Sequence, residues 1–554
     1  MLFIVIAASV AVFFGQLGAA PLFNPDEGLY AEPAREMLDT GEYITTLLNY
    51  SVRFTKPPLV IWLMALSYKA FGINEFAARF PGALSAVLLV VATYVFLARF
   101  LNLRSATLAA LILITSPMCI GVARMAITDM PLALFTAGGL MVFFTAFQTR
   151  SRPLVYFGYL LIGLAVMTKG PVGALLPVLV LGSFHLLTGS IRDAIRFFDL
   201  PLGIFIVALI ALPWFVVEIY VTKGAYFQEF ILRENFQRFT SVVDSHKGGW
   251  WYHLAAMFGG FFPWSIFLVQ SIVFFGIDAA KKAIHSSIFR RPLVGLKLPM
   301  QAADRKESLQ NLESDTLRQR IRLFSLCSVL VTLIFYSVSV SKLFTYTLPA
   351  FPALATLVAL ELDDALNAGE RTRLLLPLCV IAVIFGLSTI GTNWALGHLR
   401  EAPIELAQVI SSFAVCQGCA TLICLVLVCL RRQKAAVFAF AAGLVILILS
   451  FGGPLLSGLS ATFEGDVPNY ARKIARSNSQ IIVFDMRKPA IPFYTSRKVI
   501  QPADRNELNQ TLKTLPDAFI ITRTRDLKFF NQKPGVSVMA KDTRFALLLW
   551  KSTI

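Results

Sequence analysis

The chain alternates long apolar blocks with short polar interruptions. Runs of Leu, Ile, Val, Ala and Phe occupy roughly 2–20, 81–100, 105–123, 130–148, 154–167, 171–187, 200–221, 254–276, 323–340, 345–361, 374–392, 407–430 and 434–452. Most approach the ~20 residues that an α-helix needs to cross a hydrocarbon core. A bilayer offers no water to the backbone, so each run must satisfy its own N–H and C=O groups, which predicts helices. The expected architecture is a mainly α polytopic bundle of about thirteen spans. The first run reads as a retained helix, because no basic segment precedes it and Pro21 and an acidic loop follow it. An odd number of spans places the termini on opposite faces.

Composition sharpens this picture. Of 554 residues, 56% are hydrophobic and 15% charged, and the mean hydropathy is +0.68; soluble domains carry about 25% charged residues. A soluble fold of this length has no place to hide so much apolar surface. The formal charge of +17 does not imply a nucleic-acid partner, because most of the excess falls in short segments between apolar runs, where Lys and Arg set topology. A cytoplasmic N-terminus places Arg99/Arg104, Arg150/Arg152, Arg192/Arg196, Arg371/Arg373 and Arg431/Arg432/Lys434 together in cytoplasmic loops. The basic segment 277–322 joins them and suits a surface near anionic membrane lipid. The seven cysteines lie within or beside apolar runs, so no disulfide framework is expected, and Cys416-x-x-Cys419 reads as helix packing.

The opposite face receives the loops 21–80 and 222–253 and the tail after about Ser460. Tyr30 to Leu38 has helical character with Gly41 as its stop, and Pro58 to Phe71 reads as an amphipathic helix along the membrane surface. In the tail, 480–484, 518–522 and 545–550 read as strands between helix-compatible stretches. The expected division is a membrane domain over 1–460 and a small extracytoplasmic α/β domain over 461–554.

The outer-face loops also collect ionisable groups close to membrane level: Asp26, Glu27, Arg53, Lys56, Arg124, Asp129, Lys169 and Lys342, with Arg233, Glu234, Arg238, His246 and His253 in the longer loop. Charges gathered at one end of a bundle point to a functional cavity, in which cations hold a phosphate-bearing lipid and a carboxylate meets the reacting group. Asp26 and Glu27 follow the turn-forming Pro25 and are the first candidates for that carboxylate. Asp129 suits either a helix start or catalytic support. Lys56 before Pro57-Pro58 is a candidate anion hook; Lys342 with Tyr346, and Lys169 in a tight turn, add further cations and a phenol. His246 and His253, with Asp244 or Glu234, are candidate zinc ligands.

Seven segments, in this order, carry a family resemblance: Asn24-Pro25-Asp26-Glu27-Gly28-Leu29-Tyr30-Ala31-Glu32, Phe54-Thr55-Lys56-Pro57-Pro58, Ile127-Thr128-Asp129-Met130-Pro131, Met167-Thr168-Lys169-Gly170-Pro171, Glu234-Asn235-Phe236-Gln237-Arg238-Phe239, His246 through Pro263-Trp264, and Lys342-Leu343-Phe344-Thr345-Tyr346. Together they resemble the dolichyl-phosphate-mannose protein mannosyltransferase-like (PMT) superfamily, most of all its bacterial lipid A aminoarabinose transferases. The resemblance implies a GT-C glycosyltransferase fold in a bacterial inner membrane, with the active site and tail domain periplasmic. It implies a polyprenyl-phosphate (undecaprenyl-phosphate) sugar donor, lipid A or another envelope acceptor, and no required cofactor. It gives Asp26 the place of the catalytic aspartate, Lys56 that of a carrier-phosphate contact and Asp129 that of a supporting aspartate. Arg53, Lys169, Arg238, Lys342 and Tyr346 become substrate contacts. Two other readings compete: a transferase acting on Ser or Thr of secreted proteins, and a lipid-linked sugar transporter. Against the transporter stand the one-sided charges and the lack of a visible inverted repeat.

This topology predicts that a cysteine introduced within 281–320 resists a membrane-impermeant thiol reagent in cells with a permeabilised outer membrane, whereas one near Asn509 is labelled. The reverse pattern would invert the face assigned to the site.

Overall fold

The computed structural model of the chain describes residues 1–54, 56–230, 233, 248–273, 302–398 and 404–552. Its first eleven helices are α1 (Leu2–Phe14), α2 (Gly28–Thr40), α3 (Leu59–Phe71), α4 (Glu75–Phe100), α5 (Leu103–Thr115), α6 (Pro117–Ala123), α7 (Asp129–Thr149), α8 (Arg152–Lys169), α9 (Val172–Leu187), α10 (Ile191–Phe198) and α11 (Leu200–Val221). Later helices include Tyr252–Gly260, Ala302–Val338, Phe351–Ala368, Thr372–His398, Ile404–Cys429 and Gln433–Glu464. Among the described residues, seven helices are long and apolar enough to cross a membrane, or up to nine if each bent pair is one span. The expected thirteen is therefore not confirmed. Several apolar stretches form shorter helices, among them Leu2–Phe14, Leu59–Phe71 and Val172–Leu187.

Local chemistry explains where helices begin and break. Asn74 accepts from the Ala77 N–H at 2.9 Å, which starts α4 six residues before the apolar run read from sequence and leaves Pro81 inside the helix. The run 105–123 is not one helix but α5 and α6, bent by 63°. Pro117 supplies no N–H and pushes Ser116 into extended backbone, so the helix cannot continue through it. Pro263 lies in a second break, where Tyr252–Gly260 and Trp264–Val273 meet at 116°. Gly41, the expected stop of α2, ends it in the left-handed region with φ of 74°.

The tail forms a four-stranded sheet of order β3-β4-β6-β5, built from β3 (Gln480–Val483), β4 (Asp517–Arg523), β5 (Val536–Lys541) and β6 (Phe545–Lys551). A two-stranded hairpin, β1 (Leu47–Leu48) and β2 (Ser51–Val52), lies in the first loop. β3 runs parallel to β4, and β6 pairs antiparallel with both β4 and β5. Successive residues feed opposite cores: Ile481 and Ile521 pack with Val467 and Ile474, while Ile482 and Ile520 pack with Leu508 and Phe530. Burial on both faces accounts for the continuous apolar runs in these strands.

At the end of the bundle away from Asp26, a lattice of ion pairs ties four helices. Asp363 accepts from Arg104 at 3.2 Å, Asn102 at 3.1 Å and Arg318 at 3.0 Å. Arg318 and Arg322 also reach Asp364, and Arg373 and Gln270 reach Glu361 at 3.3 Å. Asp363 is almost fully buried, so Asp363→Ala takes from Arg104 and Arg318 the carboxylate they share, leaving them Asn367 and Asp364, at a cost of about 3 kcal/mol. The thermal midpoint in detergent should drop sharply. Asp193→Ala, which removes only the exposed pair with Arg150, should leave it unchanged.

Candidate active site

The site is built on the turn that joins α1 to α2. Glu27, immediately before α2, folds back into the bundle and is fully buried. Its Oε1 accepts from Arg79 Nε and the Ala126 N–H, both at 2.8 Å. Its Oε2 accepts from Arg79 Nη2 at 2.7 Å and the Phe23 N–H at 2.8 Å. Arg79 in turn donates to the carbonyls of Leu17, Ala20 and Pro21. On the other side of the turn, Asn24 binds Glu464 and the Ala490 N–H. Asp26 lies between these anchors and is exposed. The two acids read together from sequence thus have opposite environments.

The first turn of α2 carries Tyr30, whose ring lies 5.6 Å from the Arg53 guanidinium; Arg53 also donates to the Leu29 carbonyl. Burial raises the Tyr30 phenol above its ordinary pKa; Arg53 and Lys169 oppose this shift and Asp129 adds to it. Tyr30 therefore remains a neutral phenol between two cations and a carboxylate.

Asp129 opens α7 and Lys169 closes α8, where Gly170 takes a positive φ of 86° that ends the helix. Lys169 Nζ donates to Asp129 Oδ1 at 2.7 Å, and Thr345 Oγ1 donates to the same oxygen at 2.9 Å. The ammonium also sits 4.6 Å from the centre of the Tyr346 ring. That ring lies 4.9 Å from Tyr336 and stacks at 12° on His253, 6.1 Å away. Asp129, Lys169 and Tyr346, read separately from sequence, therefore form one cluster with Thr345.

Lys56 is half-buried, its ammonium 5.9 Å above the Phe230 ring. Phe230 packs with Met167, Ala211, Trp214 and Tyr226. Directly beneath lies an apolar cleft of about 640 Å³ between α8, α9, α10 and α11, lined by Val166, Ala211 and Phe215 at this end and by His185 and Phe198 at the other. Phe215, which lines the cleft, stacks on Phe230 with ring centres 6.2 Å apart, so the aromatic platform borders the cleft.

Other candidates spend their polar groups on the backbone. Lys342 is buried, which lowers its pKa, and its ammonium donates to the Ser337 carbonyl at 2.5 Å and the Tyr336 carbonyl at 3.3 Å. It caps the preceding helix. Arg124 binds the carbonyls of Val12, Gly15 and Gln16 and closes α1. Arg238 and His246 lie outside the described residues. His253 Nε2 meets the Leu343 carbonyl at 3.2 Å. Among the described residues no group of three or more His, Cys, Asp or Glu could hold a metal.

Sequence reasoning missed Arg79, Tyr30 and Thr345. Arg79 stands at the start of a span, where a basic residue ordinarily marks a boundary. Tyr30 and Thr345 acquire partners only when α2, α7 and the segment after Lys342 meet.

Comparison with known proteins gives the relatives of the chain and of its fold. Residues 22–223 match the family profile of the dolichyl-phosphate-mannose-protein mannosyltransferases, PMT. A relative from Pectobacterium atrosepticum, an undecaprenyl phosphate-alpha-4-amino-4-deoxy-L-arabinose arabinosyl transferase, is 28% identical over 463 residues, 80% of this chain and 75% of its own. The enzyme of the same name from Aeromonas salmonicida is 28% identical over 410 residues, 71% of this chain and 67% of its own. The crystal structure of ArnT from Cupriavidus metallidurans bound to undecaprenyl phosphate superposes with a TM-score of 0.76 at 22% identity, covering 99% of this chain and 97% of that one. The chain is a multi-pass membrane protein with a GT-C fold, the fold of that ArnT structure.

Within this site, Glu27→Gln removes the charge facing buried Arg79 and replaces an acceptor oxygen with an amide donor. The expected result is a loss of about 3–5 kcal/mol, read as a lower thermal midpoint, with sugar transfer per folded molecule retained. A variant that folds normally yet transfers no sugar would move the reacting acid from Asp26 to Glu27.

Proposed function

We propose that the chain transfers 4-amino-4-deoxy-L-arabinose from undecaprenyl phosphate to lipid A on the periplasmic face of a bacterial inner membrane. The observation that carries this reading is the joint placement of an exposed acid on an anchored turn and a lysine above a long apolar cleft. The names shared by the relatives supply the sugar and carrier. Residues 1–460 form the membrane transferase domain in this reading, and residues 461–554 a periplasmic domain.

The chemistry is substitution at the anomeric carbon. The bond from that carbon to the carrier phosphate oxygen breaks as an acceptor oxygen bonds to the opposite face, and undecaprenyl phosphate leaves with the electron pair. Lys56 neutralises the departing phosphate, with Arg53 adding positive potential. The polyprenyl tail lies in the cleft beneath Phe230, where its apolar surface leaves water. Asp129 holds Lys169 and Thr345 in place, so the lysine and Tyr346 present a fixed wall to the sugar. With a hydroxyl acceptor Asp26 takes the proton. A lipid A phosphate arrives ionised and needs no base; Asp26 then holds the ammonium of the aminosugar.

Mass spectrometry of lipid A from cells with and without the chain tests the reading. The expected difference is one aminoarabinose per modified phosphate, lost in Asp26→Asn. Losing the carboxylate that holds the aminosugar ammonium removes a charge-assisted contact of about 1.5–3 kcal/mol, and transfer should fall by about 10- to 100-fold while binding of the carrier lipid persists. Lys56→Ala should instead weaken carrier binding by about 1.5–3 kcal/mol. Unchanged lipid A, with modified secreted proteins, would reassign the acceptor; full transfer by Asp26→Asn would move the site elsewhere.

A further inference from the structure

The Asp26 turn is held from two sides, and one side belongs to the tail. Asn24 donates through its backbone N–H to Glu464 Oε1 at 2.8 Å and through Nδ2 to Glu464 Oε2 at 2.8 Å. Its Oδ1 accepts from the Ala490 N–H at 2.8 Å. Lys488 donates to the same Glu464 Oε2 at 2.7 Å and packs 5.1 Å from the Phe545 ring of the sheet. Glu464 and Lys488 are 1% and 8% exposed. Nearby, the Leu22 N–H donates to the Tyr494 hydroxyl at 2.8 Å. The fit is close: a Cβ at Gly28 would stand 2.5 Å from the Ala490 nitrogen.

We propose that Asn24, Glu464 and Lys488 form a positioning relay through which the C-terminal domain sets the location of Asp26 during sugar transfer. The proposal rests on the assignment of Asp26 as the reacting acid. Asn24 uses both ends of its amide and its own backbone N–H on the tail, so the residue two before Asp26 is fixed in position and orientation. Glu27, one residue after Asp26, is fixed by Arg79 in the bundle. Asp26 therefore spans the junction of two bodies, and its position follows how they dock. Glu464 ends the long helix Gln433–Glu464, and Lys488 neutralises it, so the relay is charge-balanced and remains buried.

The test uses the full-length protein in detergent or nanodiscs with an undecaprenyl-phosphate sugar donor. Misplacement of a reacting group by about 1 Å can cost 10²-fold. Asn24→Ala and Glu464→Ala should each lower kcat by about 10- to 100-fold, with the KM for carrier within about twofold. The double variant should be no worse than either single one, because both cut the same link. Glu464→Gln and Lys488→Arg should recover part of the activity that the alanine variants lose. Arg472→Ala breaks the ion pair with Glu75 at the same domain interface and should keep kcat. Hydrogen exchange of the segment 22–27 should accelerate in Asn24→Ala and stay unchanged in Arg472→Ala. Unaltered kcat and exchange in Asn24→Ala, or an equal loss in Arg472→Ala, would overturn the relay. If the parent protein transfers no sugar, the functional assignment fails while the exchange measurement still judges the relay.

Discussion

Four parts of the chain converge on the ion pair between Glu27 and Arg79. Arg79 belongs to α4, its carbonyl partners to the exit of α1, and the Ala126 N–H to the link between α6 and α7. Burying two charges is costly, and the cost is met here because both carboxylate oxygens and all three guanidinium nitrogens have partners. Ala126 lies three residues before Asp129, so the pair that fixes the start of the Asp26 turn also fixes the entry to α7.

Around that pair the polar groups divide by function. Lys342 and Arg124 spend their donors on backbone carbonyls at helix ends, which a bilayer protein must satisfy internally. Lys169 and Asp129 satisfy each other and leave an aromatic wall of Tyr346, Tyr336 and His253. Asp26 is exposed and Lys56 half-buried. A site in which the surroundings are already paired undergoes little reorganisation as charge moves during reaction.

The candidate site was largely legible because charge in a chain this apolar is rare. Asp129, Lys169 and Tyr346 stood out in sequence and meet in space. What stayed hidden was pairing over distance: nothing near Asn24 points to Glu464, 440 residues later, and Glu27 differs from Asp26 only by one step of the backbone. Hydrophobic run length also read straight through Pro117 and Pro263, since breaking a helix changes its direction without changing its composition. Strand β5 escaped notice because it is an edge strand with a bulge between Val538 and Ala540 and mostly exposed residues. The other three strands, buried on both faces, were plain.

The span from Asn24 to Ala490 has a consequence for biosynthesis. The ribosome delivers the Asp26 turn among the first residues and its partners Glu464, Lys488 and Ala490 among the last ninety or so. Chain elongation proceeds at about 5–20 residues per second, so the nascent protein threads most of its helices before that turn can meet its final contacts. During this interval a half-made protein already in the membrane has its acid but not its complete mounting. Such an order of assembly completes the mounting of this turn only once the tail has folded.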